Sequence, residues 1–180
     1  MLKMSTYCKN NNVSLRPHAK SHKMSKIAEL QIKYGATGIC VATLREAEIM
    51  AKNKIPGILL TSPISNPYDK DRIKNLIKYY KDFSIVLDNE FSIKYLASIC
   101  RPVNKKINVF IDCDIMKIGS SRISRTGAHS IREILKLAKL VNSNKYLNYS
   151  GITAYAGDVQ HINEYKNRLI VVNLDINDHN

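Results

Sequence analysis

The sequence predicts an α/β fold, a partial (β/α)8 barrel of TIM type built from about six βα units. Three observations predict it. Short apolar runs alternate with amphipathic segments and then turns, which is the signature of βα units around a parallel sheet. No Gly-x-Gly-x-x-Gly follows any apolar run, so a nucleotide-binding doubly wound sheet lacks its fingerprint. The chain has 180 residues, whereas an eight-stranded barrel typically takes about 250. On that count residues 1–180 form a single incomplete barrel domain, and its first and sixth strands are expected to be bare edges prone to association.

The elements follow in order. Met1 to Cys8 reads as a helix that ends in the polar turn Lys9 to Asn12. The first βα unit pairs a strand at Val13 to Ala19 with a helix at Ser25 to Tyr34, capped by Ser25 and closed by Gly35. The second pairs Gly38 to Ala42 with Leu44 to Lys52, where Thr43 and Glu46 have capping-box spacing. Gly57 to Thr61 is the third strand, followed by a Pro- and Ser-rich loop and a helix from Asp69 to Lys81. Phe83 to Leu87 leads into a helix from about Asn89 to Cys100, which Pro102 ends. Ile107 to Cys113 is the fifth strand, and a Ser- and Gly-rich loop joins it to a helix from His129 to Val141. Leu147 to Ala154 is the sixth strand, after which a loop from Tyr155 enters a helix. Leu169 to Leu174 is apolar and β-branched, and we read it as the end of that helix rather than a seventh strand.

Composition excludes several classes of function. A content of 44% hydrophobic and 24% charged residues is globular rather than disordered. The formal charge of +13 comes from lysines scattered along the chain, which fits solvated helix faces better than a nucleic-acid groove. A nonspecific nucleic-acid-binding module therefore ranks behind an enzyme, and no specific nucleic acid is expected. Cys8, Cys40, Cys100 and Cys113 form no Cys-x-x-Cys pair, and Cys40 and Cys113 lie in apolar runs as small buried side chains. No stretch approaches the roughly 20 apolar residues of a membrane span. A reduced, cytoplasmic location is the default reading.

One stretch stands out: Arg16-Pro17-His18-Ala19-Lys20-Ser21-His22-Lys23, at the end of the first strand. A barrel places reacting groups at the carboxyl ends of its strands, and an amine there becomes a nucleophile toward carbonyl carbon once it is deprotonated. His18 and His22 flank it, and imidazole is the side chain suited to moving a proton near neutral pH. By residue type alone the run is also readable as a solvated basic loop or a phosphate-binding patch. A zinc pair of His18 and His22 on one helix face is disfavoured, because Pro17 biases Arg16 toward extended backbone. Asp112 and Asp114 are a pair of carboxylates to which we assign no metal.

Arg16 to Lys23, then Ile27-Ala28-Glu29-Leu30-Gln31 and Gly35 to Thr43, resembles the opening of the D-threonine aldolase and D-serine dehydratase-like family. That family shares the alanine racemase N-terminal barrel. The resemblance continues through Glu46-Ala47-Glu48, Ile58 to Thr61, Arg125-Thr126-Gly127 and Gly151 to Gly157, in the family's order. It implies a barrel of alanine racemase type carrying pyridoxal phosphate, with Lys20 as the lysine that bonds the cofactor and His18 and His22 as catalytic or pocket-lining residues. It implies Arg125 near the cofactor's phenolic oxygen, with Arg122 as a rival because the loop between Asp114 and Ser124 is longer than usual. Tyr155, Gly157, Gln160 and His161 match a Tyr-x-Gly-x-x-Gln-His stretch, so Tyr155 and Gln160 are expected at the cofactor.

The implied activity is aldol cleavage of D-configured β-hydroxy amino acids to glycine and an aldehyde. D-serine dehydration and non-catalytic pyridoxal phosphate binding are the alternatives. The resemblance also implies a small D-amino acid substrate, a homodimer in the intact family, and a divalent metal held by a C-terminal β domain. That domain, the metal ligands and the loops that grip the cofactor's phosphate cannot be placed in residues 1–180, so the chain reads as a fragment whose own catalysis is in question.

Overall fold

A computed structural model of the chain describes residues 1–114, 126–157 and 159–169, apart from the side chain of Gln160. Their elements in order are α1 (Leu2–Asn10), α2 (Ser25–Lys33), β1 (Ile39–Val41), α3 (Leu44–Lys52), β2 (Ile58–Leu60), α4 (Lys70–Tyr79), β3 (Phe83–Leu87), α5 (Glu90–Cys100), β4 (Ile107–Cys113), α6 (Ile131–Asn142) and β5 (Leu147–Ala154). The strands form one sheet in the order β1-β2-β3-β4-β5, and every pair is parallel. Strands that pair in chain order, with a helix between each two, wind in one direction as a barrel does. A doubly wound sheet reverses its order at a switch point.

The sheet has five strands where the sequence pattern predicts six. Residues 13–18 do run parallel beside β1, but as a single bridge, His18 to Cys40, and not a ladder. Thr37 N donates to Leu15 O at 2.8 Å and Cys40 N to Pro17 O at 2.8 Å. Pro17 has no N–H to return, which keeps the pairing from propagating. The register is pinned close by: a Cβ on Gly38 would sit 2.2 Å from the Gly57 carbonyl oxygen, so the two chains approach more closely than any side chain allows.

Alternation sorts the strand residues into two faces. Ile39, Val41, Ile58, Leu60, Ile85, Leu87, Val109 and Ile111 are buried in one cluster with Ala47, Met50, Ile73, Ile93, Leu96, Leu137 and Val141 from the helices. The other face carries the row Cys40, Leu59, Ser84, Asn108 and Asn148, each in register with the next, and Asn148 Nδ2 donates to Asn108 Oδ1 at 2.8 Å. That mixture of small, polar and apolar side chains is the concave face of a barrel, whereas the helix-facing side is purely apolar.

Helix starts follow capping chemistry. Thr43 Oγ1 accepts from Glu46 N at 3.2 Å while Glu46 Oε2 accepts from Ala42 N at 2.8 Å, so the expected capping box forms. Asn89 caps α5 through Ser92 N, and Ser130 caps α6 through Glu133 N. Ser25 does not cap α2. The N-cap position is Met24, and its amide is bound by His22 Nδ1 at 3.1 Å. Residues 165–169 are helical, as expected after β5, and Leu174 lies outside the described residues.

Candidate active site

After the His18 bridge, Ala19–Ser21 forms a single 3-10 turn, and Ala19 is fully buried beneath it. His22 N and Lys23 N both donate to Ala19 O, at 3.1 and 2.7 Å, and Lys23 takes a left-handed φ of 52° to leave the turn. Lys20 is therefore presented on a tight, anchored loop at the carboxyl end of the first sheet segment. Its Nζ stands 5.4 Å from the centre of the Tyr155 ring, just past β5.

His18 holds this turn. Its Nδ1 accepts from Lys20 N at 3.2 Å, and its Nε2 lies 3.2 Å from Thr61 Oγ1 at the end of β2. Thr61 Oγ1 donates to Val41 O at 3.0 Å, and Ser62 Oγ to Ala42 O at 2.6 Å, which ties the ends of β1 and β2 together. Burial lowers the His18 pKa, the Lys20 charge lowers it further, and Glu46 opposes both. His22 is on the same turn, and its Nε2 is buried with no hydrogen-bond partner among the described residues.

The other cations of the motif have partners elsewhere. Arg16 Nη1 donates to Gly57 O at 2.9 Å, away from the turn. Lys23 Nζ lies 3.8 Å from the buried carboxylate of Glu46, with most of its own length in solvent.

The far side of the same end is organised by Asp112. Its carboxylate accepts from Thr126 Oγ1 at 2.8 Å and from Thr153 Oγ1 at 3.1 Å. Burial raises the Asp112 pKa, the two hydroxyls oppose that, and Asp88 and Asp114 add to it. Ala128 N donates to Asp112 O and Asp114 N to Ala128 O, so the residues on either side of 115–125 leave and return at one point. Gly127 has a φ of +115° there, and a Cβ on it would meet Asp114 N at 2.7 Å. Asp114 also faces His129, whose Nδ1 is 3.4 Å from its Oδ2. Asp112 and Asp114 thus have hydrogen-bond and charge partners of their own.

The expected residues His18, Lys20 and Tyr155 come together, with His22 on the same turn. Gly157 belongs with them: a Cβ on it would lie 2.2 Å from the Tyr155 ring, so the Tyr-x-Gly spacing lets the ring fold back over its own loop. His161 is on a 3-10 turn, Val159–His161, and is exposed. Arg122, Arg125 and the side chain of Gln160 lie outside the described residues. Sequence reasoning missed Thr61 and the clamp that Asp112 forms with Thr126 and Thr153. Thr61 closes an apolar run, which marked the strand's end but not the histidine it meets.

The sequence profile of the alanine racemase N-terminal domain matches residues 2–171. A 3-hydroxy-D-aspartate aldolase of Paracoccus denitrificans (strain Pd 1222) is 28% identical over 167 residues, 92% of this chain and 42% of that protein. A D-threonine aldolase of an Arthrobacter species is 28% identical over 158 residues, 88% of this chain and 40% of that protein. The crystal structure of D-threonine aldolase from Filomicrobium marinum superposes with a TM-score of 0.86 at 25% identity, covering 98% of this chain and 46% of that one. The chain thus spans about two fifths of the length of the curated relatives it matches.

Proposed function

The chain belongs to the alanine racemase N-terminal domain family, and from that premise we propose that it is the lysine-bearing part of a pyridoxal phosphate-dependent lyase for D-configured β-hydroxy amino acids. The reaction we assign is aldol cleavage to glycine and an aldehyde. The observation that carries this reading is Lys20 Nζ facing the Tyr155 ring at the carboxyl ends of the parallel strands.

The residues present fit the cofactor. Lys20 supplies an amine on a rigid turn, and the Tyr155 ring offers an apolar and π surface beside it. The buried Nε2 of His22 is a polar atom without a protein partner among the described residues, which is what a ligand's polar group would satisfy. Pyridoxal phosphate, when bound, supplies the electron sink for breaking a bond at the substrate's α-carbon. Lys20 would hold it covalently, Tyr155 would limit where its ring can lie, and His18 and His22 would fix the lysine's turn and border the pocket. Arg125 and Gln160 complete the proposed cofactor contacts. Among the described residues no group of three or more His, Cys, Asp or Glu is arranged to hold a metal ion, and no step is assigned to one. Nor is any described helix long and apolar enough to cross a membrane.

The test is an absorbance spectrum taken after adding pyridoxal phosphate, for the chain and for Lys20→Ala. A visible band that borohydride removes, present in the first and absent in the second, is the expected result, with the reduced adduct mapping to Lys20. The same band in both would mean that other lysines react and would overturn the assignment. Assays with D-threonine and D-serine then separate the chemistries: glycine and aldehyde support the aldolase reading, pyruvate and ammonia the dehydratase.

A further inference from the structure

We propose that His18 is the positioning residue for Lys20, a neutral imidazole locked as the Nε2–H tautomer between the Lys20 amide and the Thr61 hydroxyl, and that it carries no proton in the reaction. The inference rests on reading Lys20 as the cofactor lysine, and it assigns His18 a role that its residue type alone does not suggest.

Proton counting fixes the tautomer. Thr61 has one hydroxyl proton, donated to Val41 O at 3.0 Å, so toward His18 its oxygen offers only lone pairs. His18 Nε2, 3.2 Å away, must then be the donor. Lys20 N–H can only donate, so His18 Nδ1, at 3.2 Å, must present its lone pair. Both ring nitrogens are engaged. Taking up a proton at Nδ1 would set an N–H against the Lys20 N–H, and giving one up at Nε2 would cost the Thr61 bond. A proton carrier needs one nitrogen free to face the reacting atoms, and His18 has none.

What this arrangement achieves is placement. A 3-10 turn of three residues has little cooperative strength of its own, and the Lys20 amide is one of the donors that its start leaves unpaired. His18 supplies the acceptor and passes the connection through Thr61 to the Val41 carbonyl of β1. The backbone of Lys20 is thereby referenced to two strands of the sheet. His22 makes the contrast: its Nδ1 takes the Met24 amide in the same way, but its Nε2–H has no partner among the described residues. Of the two histidines, His22 is the one with a donor to offer.

Two measurements test the assignment. In a 15N-labelled chain at neutral pH, with His18 identified by its loss in His18→Gln, the ring should show a protonated Nε2 and an unprotonated Nδ1. A cation or an Nδ1–H ring would overturn the proposal. The second measurement is the rate at which the visible pyridoxal phosphate adduct forms on Lys20. His18→Ala should slow it roughly five- to tenfold, the scale of a lost cap, while His18→Asn, whose Oδ1 can accept the same amide, should restore it to within about twofold. An adduct that depends on Lys20 but forms as slowly with Asn as with Ala would overturn the role of His18. An adduct indifferent to Lys20→Ala would instead overturn the cofactor reading, so the two failures are distinguishable.

Discussion

Lys20 and Tyr155 meet across the mouth of the sheet, Nζ to ring centre 5.4 Å, although one precedes β1 and the other follows β5. Parallel strands are spaced about 4.8 Å apart, so in a flat sheet the segment carrying His18 and the fifth strand would be separated by about 24 Å. Two side chains cannot bridge that distance. The sheet is rolled, and the curvature that makes a barrel is also what brings the amine to the ring.

The contact predicts how Tyr155 variants behave. A cation near a half-exposed ring is worth about 0.5–1 kcal/mol, and the phenolic oxygen adds nothing to that attraction. That attraction favours the free ammonium and is given up when Lys20 reacts, so the prediction rests on the ring as a surface: Tyr155→Phe keeps it and should bind pyridoxal phosphate within about twofold of the parent chain, while Tyr155→Ala removes it and should weaken binding roughly two- to fivefold. Equilibrium titration of the visible adduct band reads both. A Phe variant as weak as Ala would assign the work to the hydroxyl instead.

His18 predicts a pH dependence with a definite sign. Its folded pKa is lowered, first by burial and then by Lys20, against the opposing carboxylate of Glu46. In the window below about 6.5 the unfolded imidazole takes a proton that the folded one resists, so the unfolded chain binds more protons. The contribution of His18 is complete above that value and is lost as pH falls through the lowered folded pKa. Between pH 7.5 and pH 5, a window around the ordinary imidazole value of about 6.5, the urea midpoint of the parent should therefore fall relative to that of His18→Asn. A parent that gains on the variant toward acid would contradict the neutral assignment.

The helical and strand pattern was readable because burial repeats with the period of each element. Ala28, Ile73, Leu96 and Leu137 are buried at helical positions, and the Thr43–Glu46 box is a local affair of four residues. The first strand was over-read for an equally physical reason: Val13 to Leu15 has the composition of a strand, but Pro17 withholds the amide that a ladder needs. The site divided along the same line. Lys20 and Tyr155 were found by motif, whereas the partners that position them, Thr61 for His18 and Thr126 and Thr153 for Asp112, are distant in sequence and ordinary in type. Ser25 shows the converse: the helix already includes it, with Met24 at the N-cap position and the Met24 amide held by His22 Nδ1.

Helix α6 offers a paired test of the core. Leu137 is 2% exposed and packed against the sheet, while Leu135 is 55% exposed on the same helix. Leu137→Ala removes buried methyl groups and leaves a cavity, and should cost about 2–5 kcal/mol in urea unfolding. Leu135→Ala should change stability by less than about 0.5 kcal/mol. Equal losses at the two sites would mean that α6 packs with a different face.

Asp112 supports the last prediction, because its carboxylate carries an unfavourable charge and a favourable clamp at once. Burial raises its pKa above the ordinary carboxylate value, so folding makes the carboxyl harder to ionise. A raised folded pKa stabilises fully below the unfolded value of about 3.9, and that stabilisation is lost as pH rises through the folded pKa. Asp112→Asn removes the charge yet keeps an oxygen for one threonine, so relative to the parent it should gain stability between pH 3 and pH 7 (bracketing the ordinary value of about 3.9). Thr126→Val keeps the charge and removes a donor, and should lose about 1.5–3 kcal/mol at neutral pH, the range for a hydrogen bond to an ionised group. Because Thr126 adjoins the residues after Asp114 and Thr153 stands two before Tyr155, Thr126→Val should also slow adduct formation on Lys20, while a remote variant of equal stability cost, such as Leu137→Val, should not. Denaturation at both pH values checks the first expectation and the absorbance rate checks the second. If Asn loses ground as pH rises, or if the two destabilised variants form adduct at the same rate, the clamp has no part in shaping the site.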